Sequence, residues 1–265
     1  MARPELVEVP CPELVEGASP ATVIAAENLW KSFPLQRDRP GLKELLVNAP
    51  RFFNGRTKGF WALRGVSFTV NKGESLGIIG RNGAGKSTLL SLLLGVALPT
   101  KGRLEVRGNR TPLLELGAGF HPDLTGIENI YINGVMLGLT RAEVRARLDE
   151  IIAFSELAEF VHLPLRTYSS GMQMRLAFAV AIHTSPEVLL VDEILAVGDE
   201  SFQRKSGKAL TDLIGGGVTT VFVSHSMEAI KKLCHRAIWL EQGEVRAEGE
   251  AGQVVEEYLK AQGQA

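Results

Sequence analysis

The chain has 265 residues, 45% of them hydrophobic and 22% charged, with 29 Lys and Arg against 30 Asp and Glu for a net charge of −1. Such a composition fits one large folded domain, or one domain with a sizeable insertion, and excludes a disordered polymer or a membrane-embedded body. The balanced charge gives no reason to expect a nucleic-acid partner. The longest apolar runs, such as Leu176 to Ile182, fall far short of the ~20 residues of a membrane-spanning helix. No apolar signal region opens the chain, and two cysteines, Cys11 and Cys234, are too few for a disulfide framework or a metal cluster. A cytoplasmic protein with two free thiols is expected.

Residues 1–21 repeat Pro-Glu-Leu-Val-Glu, at Pro4 to Glu8 and at Pro12 to Glu16, with prolines that interrupt any helix, so a disordered tail is expected there. The folded domain is expected to run over 22–265. Thr22 to Ala26 reads as a strand, and Val66-Ser-Phe-Thr-Val70 alternates with the period of two that marks a half-buried strand. Together they predict a small antiparallel β layer. Between them, the segment 31–64 holds eight basic and two acidic residues, a basic insertion that either is simply solvated or faces anionic headgroups or a membrane partner.

Ser75 to Gly80 is an apolar run closed by Gly, and a helix-compatible stretch runs from Lys86 to Val96. Later, Val188 to Asp192 and Val218 to Ser224 are apolar runs rich in β-branched residues, as expected of parallel strands covered on both faces. Between about 111 and 186 the pattern is helical. Thr125 with Glu128, and Thr140 with Glu143, both fit the capping box. The expected fold class is α/β: a phosphate-loop core with a mostly parallel sheet, an antiparallel β layer and an inserted helical subdomain. A last helix is expected from Val254 to Ala261.

Gly80-Arg81-Asn82-Gly83-Ala84-Gly85-Lys86-Ser87-Thr88 satisfies the phosphate-loop pattern, directly after a predicted strand and opening a predicted helix. Its glycines let successive amides and the helix N-terminus point at phosphates. Lys86 is expected to reach the β and γ phosphates of ATP, and the Ser87 hydroxyl to bind Mg²⁺. Asp192 and Glu193 end a buried strand, where open α/β sheets present ligand-binding residues. Asp192 suits the Mg²⁺, and Glu193 suits the base or orienter of the attacking water.

Tyr168-Ser169-Ser170-Gly171-Met172, ahead of a helical run, resembles the signature of the ABC transporter ATPases, usually Leu-Ser-Gly-Gly-Gln. Four further features are similar to that family in the same order: the phosphate loop, the carboxylate pair, Ala196 to Asp199 as a dimer-contact loop, and His225 as a switch residue that senses the γ phosphate. The resemblance implies a homodimer with two Mg-ATP sandwiched between subunits, each signature serving the nucleotide on the partner's phosphate loop. It also implies a separate polytopic permease, through which the subunit associates with the cytoplasmic face of the bacterial inner membrane. Phe33 stands where the family stacks an aromatic ring on adenine, with Phe60 and Trp61 as competitors. No clear match exists for the family's Mg²⁺-touching glutamine, and Glu115 is the nearest polar residue. That departure, the Ser-Ser-Gly-Met signature and the segment Gly117 to Asn129 are similar to one branch, the exporters of O-antigen, capsule and teichoic acid. A soluble ABC ATPase acting on DNA or ribosomes, or a small-molecule kinase, would leave part of this set unexplained.

Overall fold

A computed structural model of the protein describes residues 21–34, 59–113, 116–192 and 198–263. The sequence-based expectations for the tail, for most of the basic insertion, and for Cys11, Glu115 and Glu193 therefore lie outside the described residues.

Strands β1 (Thr22–Pro34) and β2 (Gly59–Asn71) pair antiparallel, and β4 (Lys101–Val106) joins the other side of β1. In β2, buried Val66, Phe68 and Val70 alternate with exposed Ser67 and Thr69, so one face is core and the other is wet. The expected antiparallel layer is present, and longer than its two apolar cores indicated.

A second sheet has the order β5 (Arg110–Leu113), β6 (Val188–Asp192), β7 (Thr219–Val223), β3 (Ser75–Ile79), β8 (Arg236–Glu241), β9 (Glu244–Glu250). All its neighbours run parallel except β8 and β9. Every residue of β3 and β7 is buried, which is why these strands read as unbroken apolar runs rather than alternating ones. Around the sheet lie α1 (Lys86–Leu94), α5 (Glu200–Gly215), α6 (Met227–Leu233) and α7 (Ala251–Ala261). A helical layer follows β5 in the chain: α2 (Gly126–Met136), α3 (Arg141–Ser155) and α4 (Ser170–Ile182).

Three boundaries differ from those expected. The segment 110–113 is a strand of the main sheet, so the helices begin only at Gly126; Pro112 is accommodated because β5 is an edge strand. Helix α1 stops at Leu94 because Gly95 adopts a left-handed φ of 80° and donates its N–H to the Leu92 carbonyl. Helix α7 starts at Ala251, three residues early, because the Glu250 carboxylate accepts from the N–H groups of Gly252 and Gln253.

Both capping boxes form. Thr125 and Thr140 donate their N–H to the carboxylates of Glu128 and Glu143 at 2.8 and 2.7 Å, and their hydroxyls accept the glutamate N–H groups at 3.3 Å. These bonds hold both carboxyls below the usual glutamate range. A carboxyl lowered in the folded state stabilises the fold above its unfolded pKa, and that contribution is lost as pH falls through the lowered value.

Phe178 of α4 ties the helical layer to the sheet. It is fully buried, stacks on Phe154 at 6.2 Å and 28°, and meets Phe202 of α5 edge-on at 6.2 Å. Phe178→Ala should cost about 3–5 kcal/mol in urea unfolding, the range for a buried aromatic whose cavity cannot collapse. The Glu143→Gln penalty should shrink as urea titrations move to pH below the usual carboxylate range.

Candidate nucleotide site

Three neighbouring strands end level with one another. Asp192 of β6 lies opposite Val223 of β7, which in turn lies opposite Ile78 of β3. The chain leaving β3 enters the loop 80–85, β6 ends on Asp192, and β7 runs into Ser224 and His225. Level ends put these groups around one cavity of about 300 Å³, lined by Asn82, Gly83, Gly85, Lys86, Ser87, Thr88, Asp192 and His225, with Phe60 and Ala62 from β2.

The loop keeps its shape through close backbone approach. Gly80 has φ +148°, and a Cβ there would collide with the carbonyl oxygen of Leu240 in β8. Gly85 has φ +108°, and its Cβ would stand 2.6 Å from the Ala62 carbonyl oxygen. No L side chain fits either place. The Lys86 ammonium donates to the carbonyls of Gly80 at 2.7 Å and Arg81 at 3.1 Å, which aims a buried cation along the loop's inner rim. The Ala84 N–H donates to the Arg81 carbonyl at 3.1 Å, closing the turn between them. Gly243, at the β8–β9 turn, donates to the Ala84 carbonyl at 3.0 Å and accepts from the Arg64 N–H at 2.8 Å. The hairpin thus clips the loop to the antiparallel layer. Helix α1 starts at Lys86 with no side-chain cap, so the N–H groups of its first turn, with the positive end of its dipole, face the cavity.

Of the aromatic candidates, Phe60 lines this cavity and Phe33 does not. Phe33 pairs with Phe60 in the β1–β2 register, is 44% exposed, and carries the Lys31 ammonium 5.3 Å from its ring. Trp61 is turned elsewhere, edge-on to Trp30 at 5.4 Å. Ser87 and Asp192 bring hard oxygen donors to one wall, the chemistry a Mg²⁺ takes when phosphate and water complete its shell.

A second cavity, of about 420 Å³, opens at the start of α4 and shares no lining residue with the first. Ser169, Ser170, Gly171 and Met172 line it together with Met174, Arg175, Gly198 and Asp199. Ser169 is the N-cap, its hydroxyl accepting the Met172 N–H at 3.2 Å. Gln173 turns back, donating to the carbonyls of Leu165 and Tyr168 at 3.4 and 3.5 Å.

Residues 63–196, about half the chain, match the family model described as ABC transporter. The chain belongs to the ABC transporter family. It is 46% identical over 241 residues to the O-antigen export system ATP-binding protein RfbB of Klebsiella pneumoniae, covering 90% of this chain and 98% of that one. It is 56% identical over 200 residues to the protein of the same name from Myxococcus xanthus, covering 76% of this chain but only 46% of that protein. A solved ATP-binding subunit of an ABC transporter has the same fold, with a TM-score of 0.70 at 20% identity, over 89% of this chain and 93% of that one.

Within the ABC fold, two contributors to the site carry no sequence signal. Gly243 reads as an ordinary hairpin turn, and nothing in Gln242-Gly243 announces a bond to Ala84. Arg175 reads as one more charge on a helix, although it stands beside the signature. ABC ATPase domains bind ATP, so the aromatic candidates can be separated by affinity for a fluorescent ATP analogue. Phe60→Ala should weaken binding about fivefold or more, the loss of a base stack, while Phe33→Ala should stay within about twofold.

Proposed function

We propose that the chain is the ATP-binding and ATP-hydrolysing subunit of a bacterial exporter of lipid-linked polysaccharide of the O-antigen kind. It acts as a homodimer at the cytoplasmic face of the inner membrane, on a separate polytopic permease. The match along 98% of the Klebsiella pneumoniae O-antigen export ATP-binding protein carries the cargo assignment. The folded unit spans 22–265; of the basic segment expected over 31–64, residues 31–34 and 59–64 belong to β1 and β2, and only 35–58 joins the two strands.

The geometry supports two half-sites per chain. In the first, the amides of residues 82–88 and the Lys86 ammonium hold the phosphates, Ser87 and Asp192 hold Mg²⁺, and Phe60 stacks on the base. Glu115 remains a further Mg²⁺ candidate by sequence alone. When bound, Mg²⁺ would neutralise the charge that develops on the phosphates. Glu193, the residue after Asp192, accepts the proton of the attacking water, and His225 contacts the γ phosphate from the end of β7. In the second half-site, the capped N-terminus of α4 offers Ser169, Ser170, Gly171 and Met172 to the nucleotide held by the partner subunit. The two cavities share no lining residue, and a twofold pair of chains would set the second cavity of each against the first cavity of the other.

Among the described residues no helix is long and apolar enough to cross a membrane. The exposed apolar side chains Ile132, Val135 and Met136 gather on α2 beside Leu124 and Tyr131, around a cavity of about 560 Å³.

Glu193→Gln keeps the shape and removes the proton acceptor, so ATP should still bind while hydrolysis falls about 100-fold or more. Near-parental turnover would overturn the role of Glu193. Lys86→Ala should instead weaken nucleotide binding, and parental affinity together with parental turnover would overturn the loop assignment. Deleting the gene should leave lipid-linked polysaccharide inside the cell and strip it from the surface. Unchanged surface polysaccharide, in a strain without a second exporter, would overturn the cargo.

A further inference from the structure

Beside the signature, four charges from three helices form one chain of ion pairs. Arg175 of α4 donates through one guanidinium nitrogen to Asp199 at 2.8 Å and through the other to Glu156 at 3.3 Å. Glu156, in the left-handed C-cap position of α3, uses its second oxygen to accept from Lys205 of α5 at 2.8 Å. Lys205 also donates to the Phe154 carbonyl at 2.9 Å. The guanidinium lies 5.2 Å over the ring of Phe202, and a Cβ at Gly198 would stand 3.4 Å from Arg175 Cγ and Nε. The Arg175 side chain is only 19% exposed, while Asp199 is 59% exposed.

The placement of these groups is more informative than their stability. Arg175 lines the signature cavity, and so does its partner Asp199. Asp199 also accepts the Phe202 N–H at 2.9 Å, which makes it the N-cap of α5. These hydrogen bonds, from the Phe202 N–H first and then from Arg175, hold its carboxyl below the usual aspartate range. The helical layer and the sheet core meet here, and one planar fork spans the junction. A lysine carries one compact charge and cannot direct two nitrogens at carboxylates on opposite sides.

We infer that Arg175 is a positioning residue for ATP hydrolysis: by bridging Glu156 and Asp199 it fixes Gly198–Asp199 against the start of α4, so that both walls of the signature cavity meet the partner's nucleotide in one geometry. The inference rests on the two-half-site reading above. Arg175 touches no nucleotide on its own subunit, because it does not line the phosphate-loop cavity. Its loss therefore acts on turnover and pairing, not on the first binding event.

The test compares Arg175→Met, Arg175→Lys and Asp199→Asn in the full chain. Methionine keeps an unbranched stem over Phe202 and removes the fork. Asparagine still caps α5 and removes only the charge pair, so it serves if the methionine variant does not fold. For Arg175→Met and Asp199→Asn, affinity for a fluorescent ATP analogue should stay within about twofold, kcat should fall about tenfold or more, and KM should move less than about threefold. Arg175→Lys should recover part of the kcat. In a Glu193→Gln background, light scattering with Mg-ATP should show weaker dimerisation for the same two variants. Parental kcat in Arg175→Met or Asp199→Asn would overturn the inference, as would a loss confined to nucleotide affinity. A parent chain that turns over ATP and never dimerises, alone or with its permease, would instead overturn the two-half-site reading.

Discussion

The nucleotide cavity depends on a single constraint: three parallel strands, neighbours in space but not in sequence, must end at the same height. β3, β7 and β6 meet that condition because their ladder pairs Ile78 with Val223 and Val223 with Asp192. Slipping β6 by one residue would carry Asp192 about 3.3 Å along the strand and turn it to the other face of the sheet. The phosphate loop would remain intact and lose the carboxylate that shares its cavity. Burial of these strands on both faces holds the register, since a slip would have to repack the helices on either side.

The same sheet explains what could be read from the sequence and what could not. Fully buried strands leave unbroken apolar runs, so β3, β6 and β7 were visible in Ser75 to Ile79, Val188 to Asp192 and Val218 to Val223. The capping boxes were visible because both partners lie within one turn of each other. Strands β4, β5 and β9 were not. Lys101 to Val106 and Glu244 to Glu250 are half-covered and rich in charge, and Arg110 to Leu113 is four residues with a proline. Their strand character comes from a neighbour's hydrogen bonds, which no local pattern records. The sequence left Phe33, Phe60 and Trp61 as competitors for a related reason. Phe33 and Phe60 are partners in the β1–β2 register, and only the cavity that Phe60 lines distinguishes them.

The site residues divide along the same line. Lys86, Ser87, Asp192 and His225 were named from the chain because each sits at a motif-defined distance from a strand end, and all four line one cavity. Arg175 depends on Glu156 and Asp199, which lie 19 and 24 positions away along the chain. Pairings of that range become visible only when the helices are laid side by side. That the two cavities share no lining residue is likewise a property of the folded chain.

The clip at Gly243 also bears on how the protein is made. The phosphate loop is translated early, between β3 and α1, yet its backbone is braced by Leu240 and Gly243 from the last hairpin of the sheet. On a ribosome the loop emerges long before its braces. A nascent chain that holds the whole motif still lacks these two contacts. The close approach to Leu240 and the bond to Gly243 can therefore form only once β8 and β9 have left the exit tunnel.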